Sequence, residues 1–287
     1  MLLRSCLCAL LLVISAADRA FAQCTVGNDL FRFPTTDPPA GALAPPPGLS
    51  EGTPAPGTLR PDVTKRPYSL FGRLDTFVDG INRYCTTQLV EGTNILLTAA
   101  HCVRDHVSGN WVSDFRFWRS AEIDKAEPLR KPLCIATKKD WVGPPPSSFP
   151  GSFFWPSDYA FIVLNNPIDQ KFLTVGIDAP NGTVSSFGYP VALGAHKTLI
   201  RVDGTLAKDS NFAMATVQHA EPTLRLGMSG GGWVANLTEQ DGGSGNIVVG
   251  LSTTAGEADG NFFLAGPWFT ACTKDLLNFV KASCGQQ

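Results

Sequence analysis

The sequence contains little charge and few histidines. Charged residues occupy 17% of its 287 positions, and the formal net charge is −2. Because lysine and arginine are not in excess, the chain lacks the basic surface that binds nucleic acid, and we expect no nucleic-acid partner. The four histidines do not have the spacing of metal ligands, and the sequence contains no C-x-x-C pair. We therefore expect neither a metal site nor a cofactor.

Long apolar runs are absent after the N-terminus, so no later segment predicts a membrane anchor. At the N-terminus, Arg4 precedes an apolar run over residues 7–14, and residues 20–22 read A-F-A, the small-x-small pattern of a cleavage site. This arrangement predicts a secretory signal peptide over residues 1–22. We therefore expect a secreted or periplasmic protein.

Eight cysteines are present, and Cys6 and Cys8 lie in the predicted signal peptide. A lipid on Cys24 is the less favoured alternative to cleavage, because the bulky Gln23 stands where such a signal needs a small residue. An even number of cysteines in an exported chain is typical of disulfides. The six that remain are Cys24, Cys85, Cys102, Cys134, Cys272 and Cys284.

Proline, glycine and threonine dominate residues 33–67, so we interpret residues 23–67 as a pro-segment or N-terminal tail without a core of its own. The fold is expected over residues 68–287. There, short strand-like runs alternate with turn signals such as Asp79-Gly80. Helical spacing of apolar residues occurs only near the C-terminus, from Phe269 to Val280. The pattern predicts an all-β protein of barrel architecture with a C-terminal helix.

The first chemically informative stretch reads N-I-L-L-T-A-A-H-C over residues 94–102. An apolar run ends in two small residues, followed by His101 and Cys102. Such a strand end would hold the histidine at a fixed place and angle. By itself this motif does not assign a role, because a lone histidine is commonly a core or surface residue.

The second stretch reads G-M-S-G-G over residues 227–231. Glycines around Ser229 allow a sharp turn that exposes its hydroxyl, and they leave the N–H groups of Gly227 and Ser229 able to face a developing oxyanion. A glycine-rich turn without a catalytic role is the alternative. The nucleophile elbow of α/β-hydrolases has the same pattern but requires a histidine after the serine. All four histidines precede Ser229, namely His101, His106, His196 and His219.

Asp158 stands directly before the apolar run of residues 159–164. An unpaired charge beside a buried strand is costly, so we expect this carboxylate to pair with His101, a strand-capping role being the alternative. The order histidine, aspartate, serine is that of the chymotrypsin-like triad and not that of subtilisin.

These three blocks resemble the signature motifs of trypsin/chymotrypsin-like serine proteases: T-A-A-H-C at 98–102, D-Y-A-F-I-V-L at 158–164 and G-M-S-G-G at 227–231. The resemblance implies two six-stranded antiparallel barrels with the site between them. It further implies a secreted serine endopeptidase acting on proteins or peptides, with Ser229 as nucleophile, His101 as general base and Asp158 orienting the histidine. The N–H groups of Gly227 and Ser229 would form the oxyanion hole.

The sequence departs from animal trypsins at two positions. Met228 stands where those enzymes have an aspartate that pairs with a newly cleaved N-terminus, so the chain is more similar to the bacterial and V8-like branches. Thr223 stands six positions before the nucleophile, where trypsin-like enzymes have an acid. With Ser252 and Thr253 on the wall, a small polar pocket is expected. Ser252 or Thr253 is also expected to hydrogen-bond to Asp158.

The resemblance further implies a disulfide between Cys85 and Cys102, because Cys85 matches the family's histidine-loop cysteine. The other four cysteines allow three connectivities. By proximity we expect Cys272 to pair with Cys284, which leaves Cys24 to pair with Cys134 and tether the N-terminal segment. We expect a monomer. Two other functions stay open: a non-catalytic binding module that keeps the scaffold, and an acyl hydrolase that does not act on peptides.

Overall fold

The computed structural model describes residues 24, 27–34, 52–119, 132–143, 156–169, 171–209, 214–239 and 246–284. In this part of the chain, strands dominate and a single α-helix closes the fold. The signal peptide predicted over residues 1–22 lies outside the described residues. In the part of the chain that the structure describes, no helix is both long enough and apolar enough to cross a bilayer.

The first sheet has seven antiparallel strands in the order β1-β6-β7-β4-β3-β2-β5. They are β1 (Asn28–Arg32), β2 (Phe71–Val78), β3 (Ile81–Leu89), β4 (Ile95–Thr98), β5 (Asp114–Arg119), β6 (Pro132–Lys138) and β7 (Ala160–Leu164). The two strands at its centre, β4 and β7, are buried along their whole length, which explains their continuous apolar sequence.

The second sheet has eight strands in the order β14-β15-β11-β10-β9-β12-β13-β8. They are β8 (Thr174–Val175), β9 (Gly182–Gly188), β10 (Ile200–Asp209), β11 (Met214–His219), β12 (Gly232–Ala235), β13 (Ile247–Leu251), β14 (Thr254–Ala258) and β15 (Asn261–Pro267). Its pairs are antiparallel except β8 with β13. The predicted all-β architecture of two antiparallel sheets is confirmed. The expected six strands per sheet are exceeded, because β1 extends the first sheet while β8 and β14 lie at the two ends of the second.

Helix α1 (Ala271–Cys284) confirms the predicted C-terminal helix. Thr270 caps it, since its hydroxyl accepts a hydrogen bond from the backbone N–H of Cys272 at 3.2 Å. The apolar face of the helix, including Leu276 and Val280, is buried in the core that fills the first sheet. There α1 packs against β6 and β7.

The disulfides agree with one of the three expected pairs. Cys85 and Cys102 are bonded, as predicted. The expected pairs Cys272–Cys284 and Cys24–Cys134 are wrong, because the structure bonds Cys24 to Cys272 and Cys134 to Cys284. The reason is geometric: both C-terminal cysteines lie on α1, and twelve residues of helix at about 1.5 Å each separate them by about 18 Å, whereas bonded cysteines have Cα atoms about 4.4–6.8 Å apart.

The described parts of the segment predicted to be a tail are packed onto both sheets. Strand β1 pairs with β6, and Cys24 anchors the chain to α1. Residues 52–59, hereafter the N-terminal strap, run along the second sheet. There the N–H of Gly52 donates to the carbonyl of Ala192 at 2.9 Å, and Leu59 forms a β-bridge with Arg201. The boundary predicted at residue 68 did not anticipate these contacts.

Candidate active site

The motif around His101 places the histidine at the end of a buried strand. After β4 the chain passes through Ala99 and Ala100, both completely buried, into a short 3-10 turn over Ala100–Cys102. The backbone of Gly230 approaches this segment so closely that a Cβ added to Gly230 would lie 3.0 Å from the backbone nitrogen of Ala99. The side chain of His101 is 21% exposed and therefore reachable from solvent.

Asp158 contacts His101 through both carboxylate oxygens. Its Oδ1 accepts the backbone N–H of His101 at 2.9 Å, and its Oδ2 lies 2.9 Å from the ring Nδ1. The antiparallel pairing of β4 with β7 sets Thr98 opposite Ala160 and so brings the residues beyond the two strand ends together. Because an ionised carboxylate only accepts hydrogen bonds, Nδ1 carries the hydrogen and the lone pair of Nε2 is left for another partner.

Ser229 and His101 both lie near the sulfur of Cys102. The carbonyl of Ser229 accepts the N–H of Thr86 at 2.7 Å and is 4.0 Å from the sulfur of Cys102. A ring nitrogen of His101 lies within 4.8 Å of the same sulfur. The hydroxyl of Ser229 is 3.5 Å from the carbonyl of Thr253 and, among the described residues, makes no hydrogen bond to His101. Such bonds are often loose without substrate.

The glycines of the G-M-S-G-G turn are required by its backbone. Gly227 and Gly230 have φ of +98° and +85°, a region that other residues rarely adopt. A Cβ on Gly230 would also collide with the carbonyl oxygen of Thr86.

Two anchored carbonyl groups orient the N–H groups predicted to form the oxyanion hole. The carbonyl of Leu226 accepts the N–H of Val191 at 2.8 Å, and the carbonyl of Met228 accepts the N–H of Gly231 at 2.9 Å. In a planar trans peptide the N–H points opposite to the carbonyl. The N–H groups of Gly227 and Ser229 are therefore turned away from these anchors, and neither donates a hydrogen bond to another described residue.

No protein-family model matches the sequence, and a comparison with curated proteins gives no match. Among solved structures, the protease Anisep from Arthrobacter nicotinovorans superposes with a TM-score of 0.59 at 21% identity, covering 75% of this chain and 96% of that one. The thermostable serine protease AL20 from an extremophilic microorganism gives 0.54 at 19% identity, covering 75% and 98%. A Glu endopeptidase in complex with MPD gives 0.52 at 17% identity, covering 79% and 97%.

The chain has the trypsin/chymotrypsin-like fold. The expected likeness to bacterial serine proteases is confirmed at the level of the fold.

Within this fold, Met228 is a core residue. Its side chain is 2% exposed and lies against Gly188, where an added Cβ would be 2.5 Å from the methionine sulfur. A thioether in apolar packing can form no ion pair with an ammonium group. In this chain the turn is held by the hydrogen bonds of the Leu226 and Met228 carbonyl groups and by the buried residues behind it, which are described below.

The three residues predicted to shape the substrate pocket have different surroundings. Thr223 is half-buried and donates from its hydroxyl to Glu221 at 2.6 Å. Ser252 is buried, and its hydroxyl accepts the indole N–H of Trp233 at 2.9 Å. The backbone N–H of Thr253 donates to the carbonyl of Ala265 at 2.8 Å.

The expected hydrogen bond from Ser252 or Thr253 to Asp158 is wrong, as neither residue bonds to that carboxylate in the described part of the chain. The side-chain hydroxyl of Thr253 lies 3.3 Å from the carbonyl of Ala265 on β15, and that of Ser252 faces Trp233. Lining of the pocket by Thr223, Ser252 and Thr253 stays a prediction.

A buried network behind the turn was missed from the sequence. His196 is completely buried between the carbonyl of Tyr189 and the carboxylate of Asp75, which Arg73 also binds. Burial by itself would raise the pKa of Asp75, but the hydrogen bonds from His196 and Arg73 outweigh it and lower that pKa. His196 lies in an irregular loop and Asp75 in an alternating strand, so no local pattern signals their pairing.

Glu221 was also missed, although it joins Thr223 to the N-terminal strap. Its Oε2 accepts the N–H of Ala55 at 2.6 Å and the hydroxyl of Thr58 at 2.8 Å, while Oε1 accepts from Thr223. Glu221 is 1% exposed. Burial would raise its pKa, but the hydrogen bonds led by that of Thr223 lower it further than burial raises it.

Cys85, His101 and Cys102 place three atoms of ligand type within 4.8 Å of one another. The two sulfurs are joined in a disulfide. Because metal ions bind the thiolate form of cysteine, this group does not have the donor set of a zinc site.

Proposed function

We propose that the protein is an exported serine endopeptidase in which His101, Asp158 and Ser229 act as the catalytic triad. The observation that carries the proposal is the two-point contact between Asp158 and His101, both bonds being 2.9 Å long. This contact leaves Nε2 of a partly exposed histidine free, and in the proposal that nitrogen serves the glycine-flanked Ser229. The fold, shared with three structures named as proteases or an endopeptidase, supports the assignment.

In the proposed reaction, the hydroxyl of Ser229 attacks the carbonyl carbon of the scissile peptide while Nε2 of His101 takes its proton. Asp158 stabilises the imidazolium that forms. The N–H groups of Gly227 and Ser229 bind the negatively charged oxygen of the tetrahedral intermediate. His101 then gives its proton to the leaving amine, and an acyl-enzyme on Ser229 remains. Water, deprotonated by His101, releases the acid and regenerates the serine.

For substrates, we propose proteins or peptides without a preference for lysine or arginine at the cleaved position. Thr223 carries no charge to bind a basic side chain, and its hydroxyl is already engaged by Glu221. Export is proposed from the N-terminal sequence pattern, and the three disulfides are in keeping with an oxidising compartment.

A fluorophosphonate probe tests the proposal, since it labels only an activated serine. We expect the purified protein to be labelled at Ser229, identified by mass spectrometry of the modified peptide. Labelling should disappear in Ser229→Ala and fall strongly in His101→Ala. An unlabelled wild-type protein would indicate a non-catalytic module. Labelling together with hydrolysis of esters but of no peptide in a library would indicate a non-peptidase acyl hydrolase.

A further inference from the structure

We propose that His196 is a positioning residue for the oxyanion-binding turn, and that it acts through its buried pair with Asp75. The inference rests on the proposed protease function, because it concerns the same turn. It assigns a task to a charged pair that the catalytic steps themselves do not use.

The pair joins the two sheets. Asp75 lies on β2 of the first sheet and is 4% exposed, whereas His196 lies in the loop between β9 and β10 of the second sheet and is 0% exposed. Their Oδ1 and Nε2 atoms are 2.9 Å apart. Arg73 holds the same carboxylate through its Nε at 3.0 Å. Removing Asp75 would leave His196 without its carboxylate, whereas removing His196 would leave Asp75 bound by Arg73 alone.

The two ring nitrogens of His196 both face acceptors. Nε2 meets the carboxylate of Asp75, and Nδ1 meets the carbonyl oxygen of Tyr189. A neutral imidazole has one donor and one acceptor, so satisfying both partners requires a hydrogen on each nitrogen. The aromatic rings of Tyr84 and Tyr189 enclose the histidine edge-on, with ring centres 5.8 and 6.4 Å away.

This ring lies directly beneath Gly227. A Cβ added to Gly227 would stand 3.0 Å from Nδ1 of His196 and would collide with the carbonyl oxygen of Tyr189. The histidine and that carbonyl therefore form the surface on which the turn rests.

The segment that His196 holds is also the one that orients the turn. Two residues after Tyr189, the N–H of Val191 donates to the carbonyl of Leu226 at 2.8 Å, and this bond directs the N–H of Gly227. The N–H of Tyr189 donates to the hydroxyl of Thr86 at 2.9 Å, and that hydroxyl donates to the carbonyl of Gly227 at 2.7 Å. If the Tyr189 carbonyl moved, the hydrogen bonds from Val191 to Leu226 and from Thr86 to Gly227 would move with it.

The buried pair takes the place of an ion pair that the turn itself lacks in this chain. The residue before the nucleophile is Met228, which makes no ion pair. The Asp75–His196 pair supplies a fixed electrostatic contact behind the turn without any cleavage of the chain. Its two members come from different sheets, so it also fixes the turn relative to His101.

Misplacement of the turn should affect the transition state and spare substrate binding. The oxyanion develops only as the tetrahedral intermediate forms, so a disordered hole lowers kcat and leaves KM nearly constant. Loss of one donor costs about 10²–10³ in rate. For His196→Gln we expect kcat to fall by at least about 10-fold and by no more than the loss of one donor would cause.

The test compares wild type, His196→Gln and Asp75→Asn, with His106→Gln as the control, a histidine that lies against Trp141 in the loop before β5. The readouts are kcat and KM for p-nitrophenyl acetate and the rate and extent of fluorophosphonate labelling at Ser229. Both network variants should label completely but slowly, with lowered kcat and a KM within about 3-fold of wild type. The control should match wild type.

Full kcat in a folded His196→Gln variant, or a raised KM with unchanged kcat, would overturn the inference and leave the protease proposal intact. An unlabelled wild-type protein would overturn the protease proposal and the inference with it. If the two variants do not fold, nitrogen-detected NMR of the wild type decides: hydrogens on both ring nitrogens of His196 are expected, and a ring without a hydrogen on Nε2, which could not donate to Asp75, overturns the inference.

Discussion

Asp158 holds His101 by its side chain and its backbone together. One carboxylate oxygen accepts the ring Nδ1–H and the other accepts the main-chain N–H, each at 2.9 Å. A single bond would leave the ring able to rotate about the axis of contact. The two bonds together set both the tautomer and the direction in which Nε2 points.

Replacing Asp158 by asparagine should therefore abolish most activity with little change in the fold. The amide nitrogen would donate to Nδ1, so the hydrogen of the imidazole would move to Nε2, and the general base would be lost. We expect kcat to fall by about 10⁴. Steady-state kinetics on a peptide or active ester, with circular dichroism for the fold, checks this.

Asp79→Asn is the matched control, because Asp79 is exposed on the turn between β2 and β3. It should retain wild-type kinetics. An Asp158→Asn variant with more than a tenth of wild-type kcat would argue against the assigned triad.

Thr86→Val should remove the hydrogen bonds by which β3 of the first sheet holds the G-M-S-G-G turn. The hydroxyl of Thr86 accepts the N–H of Tyr189 and donates to the carbonyl of Gly227. An isosteric valine leaves both groups buried and unpaired, at about 1–3 kcal/mol each in the free energy of unfolding. We expect lower stability together with a lower kcat, measured by denaturant titration and by kinetics.

Thr87→Val separates the two effects. Thr87 is equally buried and donates to the carbonyl of Leu97 at 2.8 Å. Its loss should destabilise the protein by a similar amount per bond while leaving kcat near wild type. Equal losses of kcat in the two variants would mean that the turn is not specifically anchored by Thr86.

Glu221→Gln should weaken the attachment of the N-terminal strap in a pH-dependent way. The amide has one acceptor oxygen where the carboxylate has two, so it cannot accept from both the N-terminal strap and Thr223. We expect a loss of about 1–3 kcal/mol at neutral pH. The folded pKa of Glu221 is lowered below its ordinary 4.5. Its carboxylate therefore stabilises the fold fully above that value and loses this effect as the pH falls through the folded pKa.

Urea unfolding of wild type and Glu221→Gln at pH 7 and pH 3 measures this linkage. The difference in unfolding free energy between the two proteins should shrink at the lower pH. A difference that stays constant would show that the charge of Glu221 does not act through the strap.

The disulfide pairs can be mapped directly. Proteolysis without reduction should release one linked peptide pair containing Cys24 and Cys272, and another containing Cys134 and Cys284. The second bond closes a separation of 150 residues, so the double variant Cys134→Ser, Cys284→Ser should lose about 2–5 kcal/mol in the free energy of unfolding. Linkage of Cys272 to Cys284 would contradict the helix that contains both.

The candidate site could be predicted from the sequence because its residues lie in short motifs. His101 ends an apolar run, Asp158 begins one, and Ser229 stands among glycines, and each environment is set by immediate neighbours. Their order along the chain distinguishes three unrelated enzyme architectures. The sheets and the terminal helix follow from periodicity in the same way.

The remaining features depend on contacts between distant parts of the chain, and no local pattern encodes them. His196 and Asp75 are 121 positions apart, and Glu221 is 166 positions from Ala55. Cys272 and Cys284 are close in sequence, which suggested that they pair. The helix keeps them apart, and they bond to Cys24 and Cys134. The sequence by itself determined which residues are candidates for the proposed chemistry, because that depends on side-chain type and adjacent backbone. Tertiary structure alone decided what lies behind the G-M-S-G-G turn, because packing the two sheets together buries His196 against the carboxylate of Asp75.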